Sequence, residues 1–294
     1  MERRSFVAGA IGLGVTGRAA RGAAGGGPAS RSARPAPDPR AGRLKQSVCR
    51  WPYAGIPLPQ FAHACHDIGL AAIDLLQPGE WPVAADAGLV CSMGYPSART
   101  DFIATGFNDP GNHALLLREL EATIPLAARA GVPNVITMFG NRGALSDAAG
   151  ADACVAGLSR IAPLAEQEAV TVCVELLNSK VDHHGYMGDH TAWGADVIRR
   201  VGSPRVKLLY DIYHMQIMEG DIIRTIRDNA ALIAHFHTGG VPGRHELDDT
   251  QELDWRGIAG AIADTGFTGY VAHEFVPTKD PLTSLREAVA VCTV

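Results

Sequence analysis

A chain of 294 residues, 47% hydrophobic and 19% charged, has the balance of a globular protein able to fill one large core, and it contains no run of 18 apolar residues that could cross a bilayer. Residues 1–43 carry eight arginines against one Glu and one Asp, so the formal charge of −5 for the whole chain becomes −11 for the remainder. So acidic a body is a poor surface for nucleic acid, whose phosphates need clustered Lys and Arg.

The chain opens Met1-Glu-Arg3-Arg4-Ser-Phe6 and continues in a short, weakly apolar stretch to Val15. A paired arginine ahead of such a stretch reads as a twin-arginine export signal. Gly17-Arg-Ala-Ala20 and Arg21-Gly-Ala-Ala24 both offer cleavage points, and residues 25–43, mostly Gly, Pro, Ala, Ser and Arg, read as a flexible linker. The expectation is a periplasmic or other extracytoplasmic protein whose mature form has no membrane segment.

From residue 44 onward the pattern is strand then helix, eight times. Candidate strands are 45–50, 71–76, 89–94, 135–140, 171–177, 206–212, 233–238 and 270–275, short runs rich in Val, Ile and Leu. Strands of this kind suit a parallel sheet covered on both faces. Between them lie helical segments. Leu58–Ile68 stops at Gly69, and a short one lies near Trp81–Ala87. Asn112–Ala130 stops at Gly131-Val-Pro133, and Asp147–Ala169 is alanine-rich. Thr191–Val201 ends at Gly202-Ser-Pro204, Asp221–Asn229 opens on an Asp suited to N-capping, Trp255–Thr265 stops at Gly266, and Leu282–Val291 closes the chain. No Gly-x-Gly-x-x-Gly follows the first strand, so a dinucleotide fold has no support. Eight strand–helix units predict one (β/α)8 TIM barrel, a single domain over 44–294.

Six cysteines, Cys49, Cys65, Cys91, Cys154, Cys173 and Cys292, are scattered without a Cys-x-x-Cys pair, and three of them fall inside strand-like runs. Free core thiols are expected. That suits twin-arginine export, which moves proteins already folded in a reducing compartment.

Four of the late strands end in groups able to bind a metal: Glu175, Asp211, His237 and Glu274. One acidic strand end means little, because such residues often cap the next helix. Four at one-repeat intervals converge at the C-terminal mouth of a barrel. Three carboxylates with one imidazole fit a divalent cation such as Mn2+ or Mg2+.

Around these four lie further candidates. His235 and His237 alternate on one strand and project to the same face, His237 nearer the end and therefore the better ligand. His214 follows Asp211 and can point into the mouth. Arg244 comes after Gly239-Gly-Val-Pro-Gly243 and offers a planar fork to a carboxylate or a sugar oxygen. His245 and Glu246 follow it. His183 belongs to the polar segment 178–186, able to bind a small anion or polyol. Trp51, Tyr53 and Trp81, near early strand ends, offer either an apolar pocket wall or core packing.

These segments resemble the hydroxypyruvate isomerase family, within the xylose-isomerase-like barrel superfamily. The resemblance runs over about residues 45–292 and is most specific in Glu175-Leu-Leu-Asn178 with Asp182-His183, in Tyr210-Asp-Ile-Tyr-His214-Met-Gln216, in Pro242-Gly-Arg-His-Glu246 and in Gly269-Tyr-Val-Ala-His-Glu274-Phe. It implies that Glu175 and Glu274 bind the metal and act as the catalytic pair, with Asp211 and His237 completing the ligands. It also implies that His214 and Arg244 bind substrate, with His183 of the polar segment as a further substrate-binding candidate. At position 237 that family usually carries glutamine, whereas related ketose epimerases carry histidine. The implied reaction moves a proton between adjacent carbons through an enediolate, taking hydroxypyruvate to 2-hydroxy-3-oxopropanoate. The alternative is an epimerase or isomerase of a larger sugar, and further from it an exported sugar-binding barrel without catalysis. A metal-dependent DNA endonuclease on the same fold is opposed by the acidic body. The expected partner is a small hydroxy acid or sugar, and a homo-oligomer is left open.

Overall fold

The computed structural model describes residues 42–294, so the export signal and linker expected over 1–43 lie, apart from their last two residues, outside the described residues. Eight parallel strands close into a barrel in sequence order. They are β1 (Lys45–Cys49), β2 (Ala72–Leu76), β3 (Val90–Gly94), β4 (Asn134–Met138), β5 (Thr171–Leu176), β6 (Val206–Asp211), β7 (Ile233–Thr238) and β8 (Tyr270–His273), with β8 pairing back onto β1.

Helices α1 (Leu58–Ile68), α2 (Trp81–Asp86), α3 (His113–Ala130), α4 (Asp147–Gln167), α5 (Thr191–Val201), α7 (Ile222–Asn229), α8 (Trp255–Asp264) and α9 (Pro281–Cys292) follow the expected segments. Several start on side-chain caps, Ser146 accepting from Ala149 N, Asp254 from Gly257 N and Asp280 from Thr283 N. Asp221 departs from expectation. It precedes α7 with a left-handed φ of 49° and makes no cap, pairing with Arg224 instead. An additional helix, α6 (Ile212–Met218), starts directly on the last residue of β6. Its N-cap is Asp211, whose carboxylate accepts from His214 N at 3.2 Å.

The core is the barrel interior together with the layer between strands and helices. Every residue of β5 is buried, as expected of a strand covered on both faces. The barrel is irregular on one side. β3 meets β4 through a single register pair, Gly94 with Val135, and β2 shifts register against β3 around Asp74. At this shift Leu75 takes φ 57°, a conformation costing a branched residue about 1–2 kcal/mol. All six cysteines are buried and unpaired, as read from their scatter.

Candidate active site

Glu175 is the fifth residue of β5, Asp211 the last of β6, His237 the fifth of β7, and Glu274 lies one step past β8. The barrel gathers them: one ligand atom from each falls within 4.8 Å of all the others, and all four are buried. His237 Nδ1 stands 2.5 Å from Glu274 Oε2, 3.2 Å from Glu175 Oε1 and 3.8 Å from Asp211 Oδ2. At 4.8 Å, two carboxylates repel by about 3 kcal/mol at an effective dielectric of about 20. The cluster therefore demands positive charge.

Two groups of the chain supply it. Arg244 Nη2 donates to Asp211 Oδ2 and Glu274 Oε2, each at 2.6 Å, while Nη1 reaches His214 Nε2 at 2.9 Å and the guanidinium lies 4.7 Å from the Tyr213 ring centre. His237 has carboxylates on both edges, and carboxylates only accept, so both ring nitrogens carry protons here. Burial alone would favour the neutral ring, but Cys49, Glu274 and the Asp74 hydrogen bond hold its pKa well above the ordinary value. His214 goes the other way: burial, then Arg244 and His183, hold it well below the usual range and neutral.

Arg244 is presented by a tight turn. Arg244 N donates to Gly240 O at 2.8 Å, Gly240 N to His245 O at 2.9 Å, and Val276 N to Arg244 O at 2.7 Å. A Cβ on Gly240 would collide with the Glu246 carbonyl oxygen, so only glycine lets the turn fold this closely. Arg244 itself adopts φ 57°.

A cavity of about 380 Å³ opens over the cluster. One wall is polar, with Asp182, His183, His214 and Arg244, and the other is apolar, with Trp51, Tyr95, Phe102 and Ile103. Trp51 belongs to the turn after β1, and Tyr95, Phe102 and Ile103 to the long segment after β3. Gly106 holds that segment against Phe139, where any Cβ would strike backbone. A larger depression of about 750 Å³ lies at the opposite mouth of the barrel, beside Lys45, Thr171 and Arg205, away from every group described above.

Most of the expected site residues meet at this cavity, and some of the others do not. Trp51 reaches it and donates its indole N–H to Glu274 Oε1 at 2.5 Å. Tyr53 instead stacks on Phe61 in the core at 4.9 Å, and Trp81 lies buried at the start of α2 with its N–H on Leu76 O. Tyr53 closes the same short turn as Trp51 but packs inward, and Trp81 starts α2 directly after the turn Pro78–Glu80. His245 points to Val276 O, and Glu246 ties loops together through Thr278 and Ser284.

Asp74 was not evident from the sequence. Buried within β2, it accepts the Nε2–H of His237 at 2.9 Å and the Ser92 hydroxyl at 2.5 Å, with His235 Nε2 at 3.1 Å. Asn178 and Asp182 also went unassigned. Asn178 Nδ2 lies 2.6 Å from both His214 Nδ1 and Asp182 Oδ2, and Tyr213 donates to Asp182 at 2.9 Å. The signal for both was the polar run after β5, which named the loop without ranking its members.

The residues fit a divalent cation. Three carboxylate oxygens and one imidazole nitrogen converge from four strand ends, and the His237 nitrogen on the cluster side is the one Asp74 leaves free. A cation there would take the place of the Nδ1 proton and relieve the repulsion among the three acids.

Comparison with known proteins agrees in fold and family. The family model described as xylose isomerase-like TIM barrel matches residues 44–293. A human protein named putative hydroxypyruvate isomerase is 28% identical over 240 residues, 80% of each chain. The 2-oxo-tetronate isomerase of Cupriavidus necator is 29% identical over 229 residues, 75% of this chain and 87% of its own. A solved structure described as an AP endonuclease, family 2, from Brucella melitensis superposes with a TM-score of 0.75 over 82% of this chain and 97% of its own, and at 19% identity it shows the shared fold alone. The eight-stranded barrel, the cluster at its C-terminal mouth and a match spanning nearly all the described residues establish that the chain belongs to the xylose isomerase-like TIM barrel family.

Proposed function

We propose that this chain is a divalent-metal-dependent isomerase that moves a proton between adjacent carbons of a short hydroxy-keto acid, hydroxypyruvate being the first candidate. The observation carrying the reading is the buried pair Glu175 and Glu274, set with Asp211 and His237 inside one 4.8 Å cluster beneath a cavity that also holds Arg244. The relatives named for hydroxypyruvate and 2-oxo-tetronate isomerisation support it.

Glu175, Asp211, His237 and Glu274 would hold the cation, which when bound polarises the substrate's carbonyl and hydroxyl oxygens. The protein's own groups do the rest. Arg244 and His214 face the substrate's carboxylate end, Arg244 with a charged planar fork and His214 as a neutral ring. Glu175 takes the proton from C3 of hydroxypyruvate, leaving an enediolate, and a proton returns to C2 from Glu175 or the facing Glu274. The hydroxyl proton passes from the C3 oxygen to the C2 oxygen, and the product is 2-hydroxy-3-oxopropanoate. The Trp51, Tyr95, Phe102 and Ile103 wall keeps water from the reacting carbons.

A larger sugar is the second reading. His237 in place of the family's usual glutamine favours it, as does the apolar wall, which suits the face of a longer carbohydrate. Export through the twin-arginine pathway belongs to the same proposal and is supported by the Arg3-Arg4 pair and the unpaired thiols.

Proton NMR in D2O tests the function. Purified protein with Mn2+ or Mg2+ is incubated with hydroxypyruvate, with 2-oxo-tetronate and with a panel of ketoses. Metal-dependent deuterium incorporation is expected, and the substrate giving it names the class. No exchange with any of them, despite bound metal, rejects the reading.

A further inference from the structure

Among the described residues, Asp74 is a buried carboxylate beside the cluster that is not one of its four members. It comes from β2, crosses the barrel interior and meets β7 through both His235 and His237. Its two oxygens are divided: Oδ2 accepts from His237 Nε2 at 2.9 Å, with the Cys49 thiol at 3.6 Å, and Oδ1 accepts from Ser92 at 2.5 Å, itself 2.6 Å from the Ser47 hydroxyl. No Lys or Arg partners Asp74 among the described residues, so this is not a buried ion pair of the ordinary kind. An independent feature marks the same position. The next residue, Leu75, is held in a left-handed conformation at a break in strand register, and a branched side chain enters that conformation only where the surroundings impose it.

We propose that Asp74 is the positioning residue of the metal centre. By accepting the Nε2–H of His237 it fixes the ring's orientation and leaves Nδ1 as the nitrogen presented to Glu175, Asp211 and Glu274. The proposal rests on the metal-dependent reading of the site. Imidazole can ligate through either nitrogen, and the one that keeps its proton is chosen by the acceptor on the far edge of the ring. Without Asp74 the ring can turn over or swing, and the fourth ligand is lost from a set whose other three are charged oxygens. A neutral acceptor would orient the ring less firmly, because a charged acceptor roughly doubles the strength of the bond.

Two measurements separate this role from plain structural support. In wild-type protein loaded with Zn2+, a diamagnetic ion suited to imidazole, 15N NMR of the His237 ring should read Nε2 as protonated and Nδ1 as metal-bound. The reverse assignment overturns the proposal, and this arm needs no variant to fold. In Asp74→Asn, nearly isosteric, the Mn2+ dissociation constant measured by titration calorimetry should rise about 10- to 100-fold while the stoichiometry stays at one ion per chain. An unchanged dissociation constant overturns the proposal. Two ions per wild-type chain, falling to one in Asp74→Asn, would also overturn it, because Asp74 would then be a ligand. Failure of the wild type to bind any divalent ion would defeat the proposed function itself, a distinguishable result.

Discussion

The carboxylates of Glu175 and Glu274 lie within 4.8 Å of each other, yet their surroundings shift them in opposite directions. Burial pushes the Glu175 pKa up to about 7, with His237 opposing and Glu274 and Asp211 adding to the rise. Glu274 is just as deeply placed, but Arg244 and His237, with the Trp51 hydrogen bond, outweigh burial and hold it well below the carboxylate range. Two acids pushed apart in this way suit Glu175 to exchanging protons in the metal-free site and Glu274 to carrying charge there.

Replacing either glutamate by glutamine keeps shape and removes the carboxylate. Glu175→Gln should lower turnover by about 10²- to 10⁴-fold and abolish deuterium wash-in from D2O, because Glu175 is the one ionisable acid or base in β5 positioned to take the proton. Glu274→Gln should lower turnover comparably through the lost ligand and lost charge. Single-turnover kinetics with and without saturating Mn2+ checks both. Near-normal turnover in Glu175→Gln would remove it from the catalytic role.

Metal affinity should depend on pH with a definite sign. Ligands must be deprotonated to bind. Glu175 titrates at about 7 in the metal-free chain, and His237 holds its proton to higher pH still. Binding therefore displaces protons across the neutral range, so the apparent Mn2+ affinity should rise from pH 6 to pH 8 by about tenfold per unit for each proton displaced. Calorimetry in buffers of different ionisation enthalpy counts the protons released. A pH-independent affinity would mean that neither group carries a proton to displace at neutral pH.

The four clustered positions were legible because each ends an apolar run and the runs recur at one repeat, a pattern that survives errors of one or two residues in strand bounds. Glu274, expected inside a strand reaching 275, stands just beyond β8 without harm to the reading. Asp74 was hidden because it lies mid-strand among Ala, Ile and Leu, where periodicity reports burial and says nothing of function. Its role depends on a cross-barrel contact with His237, 163 residues away, and no local signal encodes that. Helix α6 was hidden for a related reason. Asp211 serves at once as strand end, cap and cluster member, and the apolar Ile-Tyr after it reads as more strand.

Arg244 distinguishes the two substrate readings. Its guanidinium spans Asp211, Glu274 and His214 with two nitrogens, which a single lysine ammonium cannot reproduce. Arg244→Lys should raise KM for a carboxylate-bearing substrate by about 10- to 100-fold, the worth of a charged bidentate contact. Neutral ketoses should lose much less. Steady-state kinetics on both classes decides the matter: equal losses would place Arg244 in organising the acids rather than in holding a substrate carboxylate.

Glu246 offers a test of stability independent of chemistry. Its Oε1 accepts from Thr278 N at 2.7 Å, Ser284 Oγ at 2.9 Å and Lys279 N at 3.1 Å, and its Oε2 from Thr278 Oγ1 at 2.9 Å, so one side chain joins the loop after β7 to the loop after β8 and to α9. Burial would raise its pKa, but these donors prevail and bring it down to about 2. A depressed carboxylate pKa stabilises the fold above the unfolded value of roughly 4.3, and that contribution drains away as pH falls toward the folded value. Glu246→Gln should therefore cost about 2 kcal/mol at neutral pH, lowering Tm by about 5 °C in a chain this size. The gap between wild type and variant should stay level from pH 8 to pH 5 and narrow below about pH 4. Thermal melts across that range check it, and a gap that persists undiminished at pH 2.5 would show that the amide loses packing rather than charge.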